Sequence, residues 1–143
     1  MAVKEELKKL GLHFIVVDLG EIDIMENVGN EPTFVYGSLH GPGYYDVDPI
    51  TSSFSLPDGQ EFSADYHTYA IEWDKSSVRF YVDEYNYATV AKRKLPPNSK
   101  WVFNKPFYII LNLAVGGDWP GKPDSTTVFP KNMYVDYVRV YKK

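Results

Sequence analysis

The chain is punctuated by turn signals too closely spaced to leave room for long helices. GPG (41–43), PDG (57–59), the Pro-Pro pair at 96 and 97 and the Gly- and Pro-rich stretch GGDWPGKPDSTTVFP (116–130) divide it into short segments rich in Val, Ile, Phe and Tyr. Proline removes a ladder donor and interrupts helices, and Pro-Asp-Gly closes a turn, so what lies between these marks reads as short β-strands. TFVYGSLH (33–40) alternates and ends at GPG. ITSSFS is a short strand before PDG. YHTYAIEW (66–73) and VRFYVD (78–83) form a hairpin around DKSS, with apolar residues at every second place. YATV (87–90) returns after DEYN. The nearly continuous apolar run from Phe107 to Val115 reads as a central strand buried on both faces, and MYVDYVRVY (133–141) as a final strand. Many short strands with turns between them indicate a sandwich or barrel. At 143 residues the chain has room for one sizeable core.

The N-terminal segment 1–19 has a different character. VKEELKKLG (3–11) predicts a short surface helix, with Glu5 and Lys9 at i, i+4 spacing, and HFIVV (13–17) a buried strand. No small-residue cleavage pattern follows its short apolar run, so it does not read as a signal peptide.

The aromatic content of 16% favours strands and sugar-stacking surfaces. Acidic residues exceed basic ones by 19 to 15, and the basic ones are scattered apart from KRK at 92–94, which reads as a solvated turn; nucleic acid is not an expected partner. The absence of cysteine excludes disulfides, thiolate metal sites and a Cys nucleophile. No apolar run approaches the ~20 residues that span a bilayer, so no membrane is expected.

The segment GEIDIME (20–26) is the chemical feature of the sequence. In a regular strand Glu21 and Asp23 share one face, Ile22 and Ile24 the other, and Glu26 is turned away. One extra residue accommodated as a β-bulge at Met25 brings all three acids together. Like charges on one strand are unfavourable for stability. The plain alternative is a solvated acidic face; the functional one is a pair of carboxylates arranged for acid–base work.

Several motifs in order decide between these readings. GEIDIME, YGSLHGPGY, YHTYAIEWDKSSVRFYVD, PFYIILNLAVGGDWPG and MYVDYVRVY resemble, at similar order and spacing, the catalytic strand and later strands of glycoside hydrolase family 16, in its laminarinase branch of endo-β-1,3-glucanases. The resemblance covers residues 20–143, leaves 1–19 atypical, and corresponds to the C-terminal portion of that family's catalytic domain. It implies an all-β, concanavalin A-like fold: a curved jelly-roll β-sandwich of antiparallel sheets, truncated at its N-terminal half. It implies hydrolysis of internal β-1,3-glucosidic bonds by retaining double displacement, with Glu21 as nucleophile, Glu26 as acid/base and Asp23 between them. The alternative from another class is a non-catalytic or vestigial carbohydrate-binding sandwich.

His40 is then expected to contact the acid group or the sugar, with a hydrogen-bonded structural role as its alternative. Trp119 offers an aromatic platform to a sugar or anchors its loop. Asn112, polar within an apolar strand, needs buried partners or a ligand hydroxyl. Trp73 and Trp101 are assigned to packing. No cofactor is expected for catalysis, and a structural calcium is implied at Asp136, with most of its ligands outside this chain. The implied partner is a β-glucan and the implied location extracellular; exposed sheet edges suggest a homodimer.

Overall fold

A computed structural model describes residues 19–45 and 48–142. The expected helix at 3–11 and the strand at 13–17 lie outside the described residues. The chain divides into two compact units, 1–107 and 108–143.

Among the described residues the first unit holds six strands: β1 Glu21–Glu26, β2 Phe34–His40, β3 Ile50–Ser55, β4 Tyr69–Trp73, β5 Ser77–Val82 and β6 Tyr85–Ala91. They form two antiparallel sheets, β1-β2-β3 and β4-β5-β6, each in simple meander order. The turns follow from local chemistry. Between β4 and β5, the Asp74 carboxylate accepts hydrogen bonds from the backbone N–H groups of Ser76 at 2.7 Å and Ser77 at 2.9 Å, closing the DKSS turn. Between β5 and β6 a two-residue connection sets Val82 opposite Tyr85. Its first residue, Asp83, has a φ of 52°, a left-handed conformation that aspartate tolerates better than most side chains. The Asp83 side chain reinforces the corner by binding His67 Nδ1 at 2.9 Å and accepting from Thr68 N–H at 2.9 Å. KRK forms a short, exposed 3-10 turn after β6, as its composition predicts.

The two sheets pack face to face. Leu39 of β2 meets Val78 and Phe80 of β5, all almost fully buried, with Tyr44, Val102 and Phe103 completing the cluster. Ile22, Ile50, Ile71 and Val90 border it from β1, β3, β4 and β6. A second cluster joins Val35, Phe62 and Val82. Trp101 packs edge-on against Phe103, ring centroids 4.9 Å apart, as a packing residue should. Trp73 instead stays 42% exposed at the end of β4.

Gly37 sets how closely the sheets approach. A Cβ built on it would lie 2.6 Å from Phe80 Cδ1 and against the Tyr87 hydroxyl, so a side chain at this position has nowhere to go.

Residues 107–115 and 133–141, which apart from Phe107 belong to the second unit, were both expected as strands, the first of them buried. They adopt no regular strand: Phe107 packs half-buried on Phe103 of the first unit, while the large apolar residues of 108–115 and 133–141 are exposed, Ile110 at 69% and Val140 at 68%. The physical reason is that strand propensity expresses a preference for a pleated, packed surface, and a ladder also needs a neighbouring backbone to pair with. Among the described residues neither segment has one. The regular pairing that this unit does contain is the bridge between Gly117 and Gly121 around Trp119.

No helix among the described residues is long and apolar enough to cross a membrane.

Candidate active site

β1 pairs with β2 in a register that sets Glu21 opposite His40, Ile22 opposite Leu39 and Asp23 opposite Ser38. The next pair is Glu26 with Tyr36. Two residues of β1, Ile24 and Met25, therefore face the single residue Gly37 of β2. This is a β-bulge, and it restores Glu26 to the face that Glu21 and Asp23 occupy. Directly opposed residues share a face, so that face also carries Tyr36, Ser38 and His40, and from β3 Thr51 and Ser53. The other face of β2 sends Val35, Gly37 and Leu39 into the sandwich. One side of the sheet is core and the other is a polar floor.

The acids are held differently. Asp23 Oδ2 lies 3.0 Å from His40 Nε2, with both side chains largely buried. The distance is that of an ion pair, and this oxygen is shielded from water. Glu21 joins the group: one carboxylate oxygen each from Glu21 and Asp23 and a ring nitrogen of His40 lie within 4.8 Å of one another. Three donor atoms fall short of the six to eight oxygens that calcium takes.

Glu26 Oε2 accepts a hydrogen bond from the Ser38 hydroxyl at 3.0 Å, and Ser38 Oγ is 2.9 Å from Thr51 Oγ1. Ser38 is 2% exposed. Burial raises the proton affinity of Glu26 above the ordinary carboxylate value of 4.5, and the nearby Asp23 charge raises it further; the Ser38 hydrogen bond and His40 oppose the rise, and Glu21 adds to it. The result is a carboxyl group biased towards its protonated form, the character that a general acid requires.

The structure thus brings together Glu21, Asp23, Glu26 and His40. His40 meets Asp23. The other expected site residues belong to the second unit. Asn112 is exposed, which removes the reason for expecting buried partners around it. Trp119 is 46% exposed in its Gly-bounded loop. Asp136 is exposed and joins no group of three acidic or histidine ligands among the described residues, so the donors around it do not fit a calcium site by themselves. Ser38 and Thr51 were missed by sequence reasoning. The available signal was their even spacing: Ser38 falls two residues from His40 and so shares its face, and ITSSFS places hydroxyls on alternate positions of the adjoining strand.

A bulged strand bearing carboxylates on the polar face of an antiparallel sandwich defines a recognisable class of protein. This chain belongs to it: residues 13–139 match the model of Glycosyl hydrolases family 16. Among curated relatives, the glucan endo-1,3-beta-glucosidase A1 of Niallia circulans is 38% identical over 131 residues, which cover 87% of this chain and 19% of that protein. Among solved structures, the endo-beta-1,3-glucanase of Pyrococcus furiosus is 46% identical with a TM-score of 0.77, covering 87% of this chain and 47% of that one. The laminarinase catalytic domain of Thermotoga maritima MSB8 is 49% identical with a TM-score of 0.73, over 77% of this chain and 45% of that one. The chain therefore spans less than half the length of each. The all-β fold of antiparallel sheets expected from the sequence is the fold of these neighbours, matched over part of their length.

Proposed function

We propose that this chain carries the reacting groups of a retaining endo-hydrolase of β-glucans, acting on internal β-1,3-glucosidic bonds. The observation that carries the reading is the bulge between Asp23 and Glu26, which gathers Glu21, Asp23 and a proton-retaining Glu26 on one face of β1. The names of the relatives, a glucan endo-1,3-beta-glucosidase and an endo-beta-1,3-glucanase, supply the substrate class.

In this reaction the Glu21 carboxylate attacks the anomeric carbon while Glu26 gives its proton to the departing glycosidic oxygen. The C–O bond to the leaving sugar breaks and a glycosyl ester on Glu21 forms. Glu26, now ionised, takes a proton from water; the resulting hydroxide equivalent attacks the same carbon, and Glu21 leaves as carboxylate. Two inversions give net retention. Asp23 keeps negative charge beside Glu26 and so helps it to recover a proton after each turnover. His40, at 3.0 Å from Asp23, holds that carboxylate in place.

Asn112 and Trp119 are proposed to contact the sugar, the indole stacking on an apolar pyranose face and the amide binding a hydroxyl. A soluble polymer of this kind is encountered outside the cell, and the proposed location is extracellular.

The test is release of reducing ends from laminarin by the purified chain and by Glu21→Gln. Loss of roughly 10³-fold or more in the variant is expected, since the covalent step has no substitute nucleophile. Equal rates for the two proteins would eliminate the assignment.

A further inference from the structure

Glu26 is held by something other than a charge. Its Oε2 receives the Ser38 hydroxyl at 3.0 Å, and Ser38 Oγ in turn lies 2.9 Å from Thr51 Oγ1. The three residues come from three successive strands, paired so that Ser38 stands opposite Asp23 on one side and Thr51 on the other. Ser38 is buried and Thr51 is open to solvent. A serine has one hydroxyl hydrogen and two lone pairs. When Thr51 donates to Ser38 Oγ, the single hydrogen of Ser38 is committed to Glu26.

We propose that Ser38, backed by Thr51, is a positioning residue that occupies Glu26 Oε2 as a donor and thereby confines the catalytic proton to Oε1. The role rests on Glu26 being the acid/base. A carboxylic acid can deliver only from the oxygen that bears the proton. A proton on Oε2 would face the Ser38 hydrogen, whereas a proton on Oε1 leaves Oε2 as a carbonyl acceptor. The same hydrogen bond serves both halves of the reaction: it stabilises the carboxylate after proton donation, and it orients the acid before it. The other charged groups acting on Glu26 are Asp23 and Glu21 on its own strand and His40 on β2. Tyr36, its partner across the ladder, turns its hydroxyl to Glu31. β3 faces it through Thr51, and no titratable group of β4 is among those that act on it.

The experiment is a carboxyl 13C NMR titration of the full chain labelled at glutamate, with the Glu26 signal assigned by its loss in Glu26→Gln. Ser38→Ala is expected to raise the Glu26 midpoint, because a donor to the charged form is lost. Thr51→Val, at an exposed position, should raise it by less, and Ser38→Thr should return it to the wild-type value. An unchanged midpoint in Ser38→Ala, or in Thr51→Val should the former not fold, overturns the proposal. Kinetics supply the second readout. Ser38→Ala should lose about tenfold in kcat/KM on laminarin, the effect of one hydrogen bond to a charged group. It should lose little on an aryl β-glucan oligosaccharide with a dinitrophenol leaving group, which departs without protonation. Equal losses on both substrates would mark a merely structural role and overturn the proposal. A wild-type chain that releases no reducing ends defeats the hydrolase reading, while the titration separately decides whether Ser38 governs the carboxyl group.

Discussion

Asp23 and Glu26 lie on the same face of β1 although three positions separate them, and the Asp23 charge raises the proton affinity of Glu26. In a regular strand an odd separation puts side chains on opposite faces. The chemistry of the site therefore depends on one surplus residue of backbone.

That dependence is testable by changing the residue count. Deleting Met25 makes the strand regular and leaves Glu26 two positions from Asp23, still on the polar face. Inserting one alanine after Met25 takes Glu26 away from its place opposite Tyr36: with the bulge kept it turns towards the core, and with the strand straightened it stands opposite Phe34, roughly 7 Å farther along the ladder. The deletion is expected to keep hydrolysis of laminarin within about tenfold of wild type, and the insertion to lower it by about 10²–10⁴, the usual contribution of a positioned acid. Similar activities for the two variants would contradict the face assignment.

Stability should fall as pH rises past the ordinary carboxylate range. The folded protein holds the Glu26 proton more tightly than the unfolded chain does, whose value is near 4.5. The native state then binds more protons than the unfolded one between 4.5 and the raised value, so this group's contribution is full below 4.5 and is lost across that window. Glu26→Gln removes the titration. Melting followed by circular dichroism should show the variant less sensitive to pH above 4.5 and more stable than wild type at neutral pH; a variant less stable at neutral pH would refute this.

Gly37→Ala tests the packing beneath the site. The added methyl group meets Phe80 Cδ1 and the Tyr87 hydroxyl, which belong to the facing sheet. Overpacking of this kind costs about 1–3 kcal/mol, measurable as a lowered urea midpoint at unchanged slope. An effect below about 0.5 kcal/mol would show that the sheets separate easily.

The exposed apolar side chains of 108–141 should drive association. Ile110 and Val138 are 69% and 51% exposed among neighbours of the same kind, an arrangement soluble monomers avoid. The chain is expected to elute larger than a monomer in size-exclusion chromatography, and Ile110→Lys with Val138→Lys to shift it towards the monomer. A monomeric wild-type chain would reject the homodimer expected from the sequence.

The sheets of the first unit were legible because alternation, Gly and Pro mark each strand and turn locally. The bulge could be read as well: three acids are useful together only if one residue is surplus. What eluded the sequence were features that depend on a neighbour. The run Phe107–Val115 has the composition of a buried strand, but burial requires a second surface and a ladder requires a second backbone, and a one-dimensional pattern contains neither. Ser38 failed for a related reason. A serine in a strand is unremarkable until the register places it between Glu26 and Thr51.

Among the described residues β1 is the outermost strand of its sheet, its backbone paired with β2 alone. The reactive groups thus ride on the part of the sandwich that peels first. Warming should silence the chemistry while most of the β-structure survives, so the temperature at which turnover fails reports the hold of a single seam, not the melting of the whole.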